Sequence, residues 1–555
     1  MKRNRSTKKD LSRRDFIRTT AAGVGATALA GFSATEAGAA GLPEKWDKEA
    51  DVVVAGCGGA GTTAAITAHD AGAKVIILEK APEGGGNSRV GGGQFTFSTA
   101  EKKDNAATYL YAACNGTTPK DVCQAWADEM VHNREWFDKM GVAYSAFGDK
   151  LGGGDFRSLP GGSDGTGTGV LKGYGLAWYK AIEKQLQTRK IEIMFNAPAV
   201  ELIQHPATKE ILGVKVASEG REKFIKARKG VVLCTGGFEF NEDMKKNYLR
   251  PTGIKFTGWI YNTGDGIKMA QAVGADLWHM NIIASALYTI VTPESEMGWM
   301  YPEPKGSSHI LVTKYGQRFM KEGGWWPHRS IMGYSLWDWR ENRKDTEYPC
   351  CPHYMIFDET TRLAGAIGIN EKSIFTGMGS TITPKWLGGT APGWGEAGGG
   401  WSADNSAEIE KGWIKKADAI AALAGAIGGE MTADALTAAV TRWNGFCDAG
   451  VDSDFGRTNA GGGGMFPTKL AKIEKPPFYA IELWPGGFST CGGPRKNALG
   501  QILDPFGNPI KRLYEAGSLG HTCGQVYSLS GANYCEVFVW GRISGRNAAS
   551  LKPWS

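Results

Sequence analysis

Apolar positions along this chain gather in short dense runs separated by glycine-rich turns and charged segments. Asp51-Val-Val-Val-Ala55 is the unbroken apolar run expected of a strand covered on both faces. It passes directly into Gly56-Cys57-Gly58-Gly59-Ala60-Gly61, then into an Ala/Thr-rich stretch that predicts a helix to about Gly72, then into a second run from Lys74 to Glu79. Gly230 to Cys234 is another buried run and ends in Thr235-Gly236-Gly237; Leu513 to Ala516 ends in Gly517. Lys416 to Ile427 and Ala433 to Cys447 read as helices, the second with Thr432 as its N-cap. Strands interleaved with helices predict an α/β architecture.

Charge changes the picture only at the start. Lys and Arg number 63 against 57 Asp and Glu, but the first forty residues hold eight of the cations and three of the acids, which leaves the body at a net +1. A near-neutral body gives no electrostatic reason for a nucleic-acid partner or a polybasic membrane contact. The leading segment has Ser12-Arg13-Arg14-Asp15-Phe16, a short apolar stretch from Thr19 to Phe32, and Ala37-Gly38-Ala39. That is the layout of an export signal, over residues 1–39, and its paired arginines resemble a twin-arginine leader, whose route carries proteins already folded around a cofactor. No later segment has the run of about 20 apolar residues that spans a bilayer.

With 42% hydrophobic and 22% charged residues, disorder, collagen and coiled coil are excluded. Glycine, at 79 of 555 residues, has about twice its usual share, and it clusters between apolar runs where backbone must approach something closely. Trp325, Trp326, Trp337 and Trp339 suggest an aromatic-walled cavity. The ten cysteines are scattered, without a CxxC or a Cys/His ligand spacing, so neither a metal site nor a disulfide framework is expected.

The chemistry begins at residues 56–61. Strand, glycine turn, helix and second strand form the βαβ dinucleotide fingerprint: Gly56 turns the chain, Gly58 and Gly59 let backbone reach a diphosphate, and Gly61 lets helix meet strand past Ala60. Glu79 closes the second strand where a carboxylate would accept ribose hydroxyls. The next stretch, Gly84-Gly-Gly86-Asn87-Ser88-Arg89-Val90-Gly91-Gly92-Gly93, resembles the "GGNS…GG" loop of the FAD-dependent fumarate reductase and succinate dehydrogenase flavoprotein superfamily. Thr235-Gly236-Gly237, Asn262-Thr-Gly-Asp265-Gly, Glu515-Ala-Gly517 and the segment from Gly531 to Arg542 follow in the family's order, so the resemblance covers residues 48–550.

The resemblance implies a Rossmann-like FAD-binding domain made of both chain ends, 48–278 and 473–555, with an inserted α+β substrate-capping domain at 279–472. It also implies that Lys80, Val200, Thr235, Asp265, Glu515 and Gly517 join the glycines, Glu79, Asn87 and Ser88 as cofactor contacts. Residues 84–93 contain no His, so the FAD is expected to be non-covalent.

In this superfamily a hydride passes between flavin N5 and a carbon of a bond activated by a carbonyl, and the protein polarises that carbonyl and moves one proton. The histidines and the Arg that fumarate reductases use are replaced here by Phe488, Ser489 and Ser528, which argues against a dicarboxylate. Tyr527 and Gly531 instead match the Tyr-x-x-x-Gly of 3-ketosteroid dehydrogenases, where the phenol and the Gly amide grip a ketone oxygen. The family's proton-carrying position falls on Trp326, leaving His328, Arg329, Tyr109 or Tyr111 to carry the proton; His521 is a further candidate to line the flavin. The expectation is an exported FAD oxidoreductase acting on a small neutral, steroid-like carbonyl compound, with a separate electron donor or acceptor. The alternatives are a reductase of an unsaturated acid with Arg329 as proton donor, and a non-catalytic flavin electron-transfer protein.

Overall fold

The computed structural model describes residues 42–146, 151–218, 220–284, 287–291, 304–322, 348–368, 401–459 and 469–554. The leader at 1–39, the four tryptophans at 325–339, His328 and Arg329 lie outside the described residues.

The first strand, Lys48–Ala55, is the centre of a largely parallel sheet. Val75–Leu78 and then Glu192–Met194 lie on one side of it; Arg221–Leu233 and then Pro509–Glu515 lie on the other. Sequence alternation splits this sheet between two cores. Val52, Val54, Val75, Ile77 and Val232 face the helices Gly59–Asp70 and Ala532–Ser550, while Val53, Ala55, Ile76, Leu78, Val231 and Leu233 face the opposite layer. The two helices touch closely because Gly541 and Gly545 carry no side chain: a Cβ there would stand 2.7 Å from Thr63 Cβ and 2.4 Å from the Ala64 carbonyl. The chain's two ends thus build one layer, with the helix at 59–70 packed on the helix at 532–550.

A second sheet follows the order Lys255–Phe256, Phe478–Gly487, His353–Asp358, His309–Thr313, with Leu287–Ile290 and Ile414–Ala417 also pairing to Phe478–Gly487. The strand at its centre therefore comes from beyond the expected boundary at 472, and the short strand at 255 from before the one at 279. Phe478–Gly487 is an apolar run that local pattern assigns equally well to either sheet, and Lys255–Phe256 is too short to carry a pattern. Lys416 and Ala417, expected to open a helix, pair instead with Tyr479 and Phe478; the helix is Ile420–Ile427. The neighbouring helix is Ala433–Ala449, and the Thr432 side chain accepts the Ala435 amide at 3.2 Å. It is anchored by Trp443, on which the Arg318 and Arg457 guanidiniums each lie 4.7 Å from the ring centre. Arg318 also pairs with Glu322 at 2.7 Å and Asp452 at 3.0 Å, all three buried.

Among the described residues no helix is long and apolar enough to cross a membrane, and no cluster of His, Cys, Asp or Glu is placed to hold a metal ion. The ten cysteines are free thiols.

Candidate cofactor and active site

The cleft opens where the first strand ends. Gly56 turns at φ 109°, and a Cβ there would stand 2.3 Å from the Cys234 carbonyl; a Cβ at Gly61 would stand 1.9 Å from the Gly56 carbonyl. Only glycine lets strand, turn and neighbouring strand close this tightly. The following helix, Gly59–Asp70, then presents its first amides, with the positive end of its dipole, to the cleft. The cleft encloses about 760 Å³, its open mouth included, and its lining takes in Gly56, Gly58, Gly59, Ala60, Glu79, Lys80, Gly86, Asn87, Ser88, Thr235, Gly236, Asp265 and Gly517 from the expected set. Gly61 and Gly237 stand behind that lining, and Gly92 and Gly93 lead out of the turn into the strand Gln94–Phe97.

Each polar wall residue is fixed by its neighbours. Glu79 accepts the amides of Cys57 and Ala81, both at 2.8 Å, so it braces the glycine turn while lone pairs remain for hydroxyls. Burial raises its pKa in spite of those bonds. Lys80 Nζ lies 2.6 Å from both Thr263 Oγ1 and Asp265 Oδ2, which joins the second strand to the helix Asp265–Ala272.

Two expected contacts are placed differently. At the strand Ala199–Gln204 the lining residue is Ala199; Val200 is its neighbour on a pleated strand and its side chain is 47% exposed. Glu515 points away from the cleft into the interior, where Lys496 Nζ lies 2.7 Å from it and 3.0 Å from Glu536; all three are fully buried. Lys496 also donates to the Gly520 carbonyl at 2.7 Å. Burial pushes the Glu515 carboxyl well up despite the ammonium beside it. The lining here is Ala516, Gly517 and Ser518. Trp259, Tyr261, Asn262 and Ser518 add to the wall; the aromatic pair carries no sequence signal, whereas Asn262 belongs to the Asn-Thr-Gly-Asp turn.

Beyond Asn87 the site continues along the start of the helix Ala532–Ser550. Tyr534 donates to the Ser88 carbonyl, Val537 lines the cleft, and Asn533 Nδ2 donates to Ser489 Oγ at 3.2 Å. Tyr527 is buried, and its hydroxyl oxygen accepts the Asn533 amide at 3.0 Å, which places it on the helix's first turn. Gly531 caps that helix at φ 92°, and a Cβ there would come within 2.6 Å of the Phe95 backbone. The segment between them is clamped: Tyr109 donates to the Ser528 carbonyl at 2.6 Å, the Asp155 amide reaches the same oxygen at 3.2 Å, and Thr96 donates to the Ser530 carbonyl at 3.1 Å.

Tyr109 is accordingly a brace rather than a proton carrier, because its hydroxyl proton is committed and burial pushes its pKa up. Tyr111 is half-buried beneath the Lys120 ammonium, 5.1 Å from its ring centre. His521 is fully buried; its Nδ1 accepts the Cys523 amide at 3.0 Å, which leaves the proton on Nε2, and burial lowers its pKa so that it stays neutral.

The donor set fits a dinucleotide carrying a large ring system. Among the buried polar atoms without a partner, Thr235 Oγ1 belongs to a residue of the cleft lining, and Ser528 Oγ belongs to the residue after Tyr527. Such atoms are costly unless a ligand or water completes them. A βαβ glycine turn with an acid closing the second strand defines a dinucleotide site.

The family model described as "FAD binding domain" matches residues 51–533, and the chain belongs to that family. It is a flavoprotein whose cofactor is FAD. Among similar proteins, the digoxin reductase of Eggerthella lenta is 28% identical, with 99% of each chain covered. The 3-oxosteroid 1-dehydrogenase of Mycolicibacterium smegmatis is 26% identical over 91% of this chain and 98% of its own. Among solved structures, a 3-ketosteroid delta1-dehydrogenase from Sterolibacterium denitrificans in complex with 1,4-androstadiene-3,17-dione superimposes with a TM-score of 0.71 at 22% identity, covering 91% of this chain and all of that one.

Proposed function

We propose that this flavoprotein oxidises or reduces a C–C bond conjugated to the ketone of a neutral, steroid-like compound. Bound FAD supplies the hydride exchange. The chain's own part is to bind the ketone and hold the charge that grows on its oxygen. Tyr527 carries this reading: a buried phenol, anchored through its oxygen by the Asn533 amide, sits on the first turn of the helix Ala532–Ser550. A phenol and a helix N-terminus are neutral donors, suited to an oxygen that becomes negative only in the transition state. They offer no cation to balance a carboxylate substrate. Tyr109, Asp155 and Thr96 support the reading by fixing the loop that carries the phenol, since preorganised donors need no rearrangement during the reaction. The similar proteins include one named a reductase and one named a dehydrogenase, in keeping with a site whose direction is set by potential and partner. Arg329, His328 and Tyr111 are the proton-carrier candidates that remain. A twin-arginine leader at 1–39, export to an extracytoplasmic compartment and a separate redox partner complete the proposal.

The test is an anaerobic dye-coupled screen, in both directions, of ketosteroids, other enones and acrylate-type acids, run on the parent and on Tyr527→Phe. Ketosteroid turnover that falls by about 10²–10³ in the variant with FAD still bound supports the reading, since that is the usual loss on removing one such donor. Unchanged turnover removes Tyr527 from the reaction, and turnover confined to unsaturated acids refutes the substrate class.

A further inference from the structure

Glu239 stands two residues beyond Gly237, fully buried and without an ion pair among the described residues. Its Oε1 accepts the side-chain amides of Asn87 at 3.2 Å and Asn262 at 3.4 Å. Both asparagines line the cofactor cleft, one from the glycine-rich turn at 84–93 and the other from the turn before Asp265. Asn87 is pinned further, its Oδ1 accepting the Trp259 amide at 2.7 Å and its Nδ2 donating to the Phe488 carbonyl at 3.1 Å. One carboxyl group therefore ties three segments of the cleft wall together.

Its other oxygen, Oε2, makes no side-chain hydrogen bond and lies against Gly237 and Thr490: a Cβ at Gly237 would come within 2.9 Å of Oε2 and 2.0 Å of Thr490 Oγ1. The groups facing the carboxyl are the two asparagine amides, the backbone and hydroxyl of Thr490, and the Cys491 thiol, whose own pKa burial raises. None of these is a cation. Burial pushes Glu239 from 4.5 up to about 8, its hydrogen bonds only partly offsetting the loss of water.

We propose that Glu239 is a latch of the cofactor cleft that works in its neutral, protonated form, and that FAD is held more weakly once this group ionises. FAD would bring the negative charge of its diphosphate into the cleft that Asn87 and Asn262 line, and a buried carboxylate behind them with no cation facing it would repel that charge. By linkage, FAD binding draws a proton onto Glu239, and ionisation of Glu239 loosens FAD by the same factor. FAD affinity is level up to about pH 7 and weakens above pH 8, by at most about tenfold per pH unit for a single proton.

The experiment titrates apoprotein with FAD by flavin fluorescence from pH 6 to 9.5, for the parent and for Glu239→Gln. Calorimetry at pH 8.5 in two buffers of different ionisation enthalpy counts the protons taken up. The expected result is a parent Kd that climbs above pH 8 with uptake of part of a proton, against a level Kd and no uptake for Glu239→Gln. The same rise in both proteins overturns the proposal. So does a parent Kd level to pH 9.5 without proton uptake, a result that needs no variant and therefore stands if Glu239→Gln fails to fold.

Discussion

Lys496 sits between two carboxyl groups with no access to water, and replacing it isolates what that arrangement costs. In the parent, one ammonium faces Glu515 and Glu536, so the island approaches neutrality when one carboxyl keeps a proton, in line with the strongly raised pKa of Glu515. Lys496→Met removes the positive charge while roughly preserving volume, and the second carboxyl must then be protonated as well. Holding a proton at pH 7 on a group that ionises near 4.3 in the unfolded chain costs about 3.7 kcal/mol, within the range of about 3–5 kcal/mol seen when a buried pair loses one partner. The cost has a pH signature: it shrinks by about 1.4 kcal/mol per unit, or about 2 kcal/mol between pH 7 and pH 5.5. Urea unfolding of the apoprotein, followed by circular dichroism at both pH values, measures it. Lys496→Met with Glu536→Gln should recover most of the loss, because Glu515 alone then needs a single proton, as in the parent. A loss below about 1 kcal/mol, or one equal at the two pH values, refutes the reasoning.

Gly61→Ala places a Cβ 1.9 Å from the Gly56 carbonyl, which forces the helix start away from the turn. Losing even one or two charge-assisted amide contacts, at about 1.5–3 kcal/mol each, should raise the FAD Kd by at least tenfold in a fluorescence titration, and unchanged affinity would show that the turn does not hold the diphosphate. Beside the helix Ala433–Ala449, burial acts to raise the Asp452 pKa, but the Arg318 guanidinium overrides it and holds the group below 3.8. A depressed pKa means stability present above about pH 3.8 and lost as pH falls through the folded value. Asp452→Asn should therefore flatten the acid limb of a thermal-melt series, and a parallel limb would assign acid unfolding to other groups.

The parts of the fold set by local pattern were legible from the chain alone. An unbroken Val52–Ala55 run belongs to a strand with both faces covered, and Gly56, Gly58 and Gly61 recur at spacings that only a tight βαβ turn requires. The Thr432 cap and the Asp265 helix start are local for the same reason. What local pattern leaves open is which sheet a strand joins and which way a terminal side chain turns. Phe478–Gly487 is apolar enough for either sheet, and its partners lie more than a hundred residues away for His353–Asp358. Glu515 ends a buried strand next to the cleft, and only the position of Lys496, in a stretch that reads as a polar loop, turns it inward. Glu239 follows a recognisable Thr-Gly-Gly turn, but its role depends on Asn87 and Asn262 meeting there, and no spacing within one segment encodes that.

The most direct measurement is the flavin content of the purified chain before and after acid precipitation. One equivalent of FAD bound to the native protein, released in full to the supernatant, is the predicted result. A folded chain that stays colourless and takes up no flavin would contradict the assignment of the cleft at Gly56–Gly61; flavin retained in the pellet would contradict non-covalent binding.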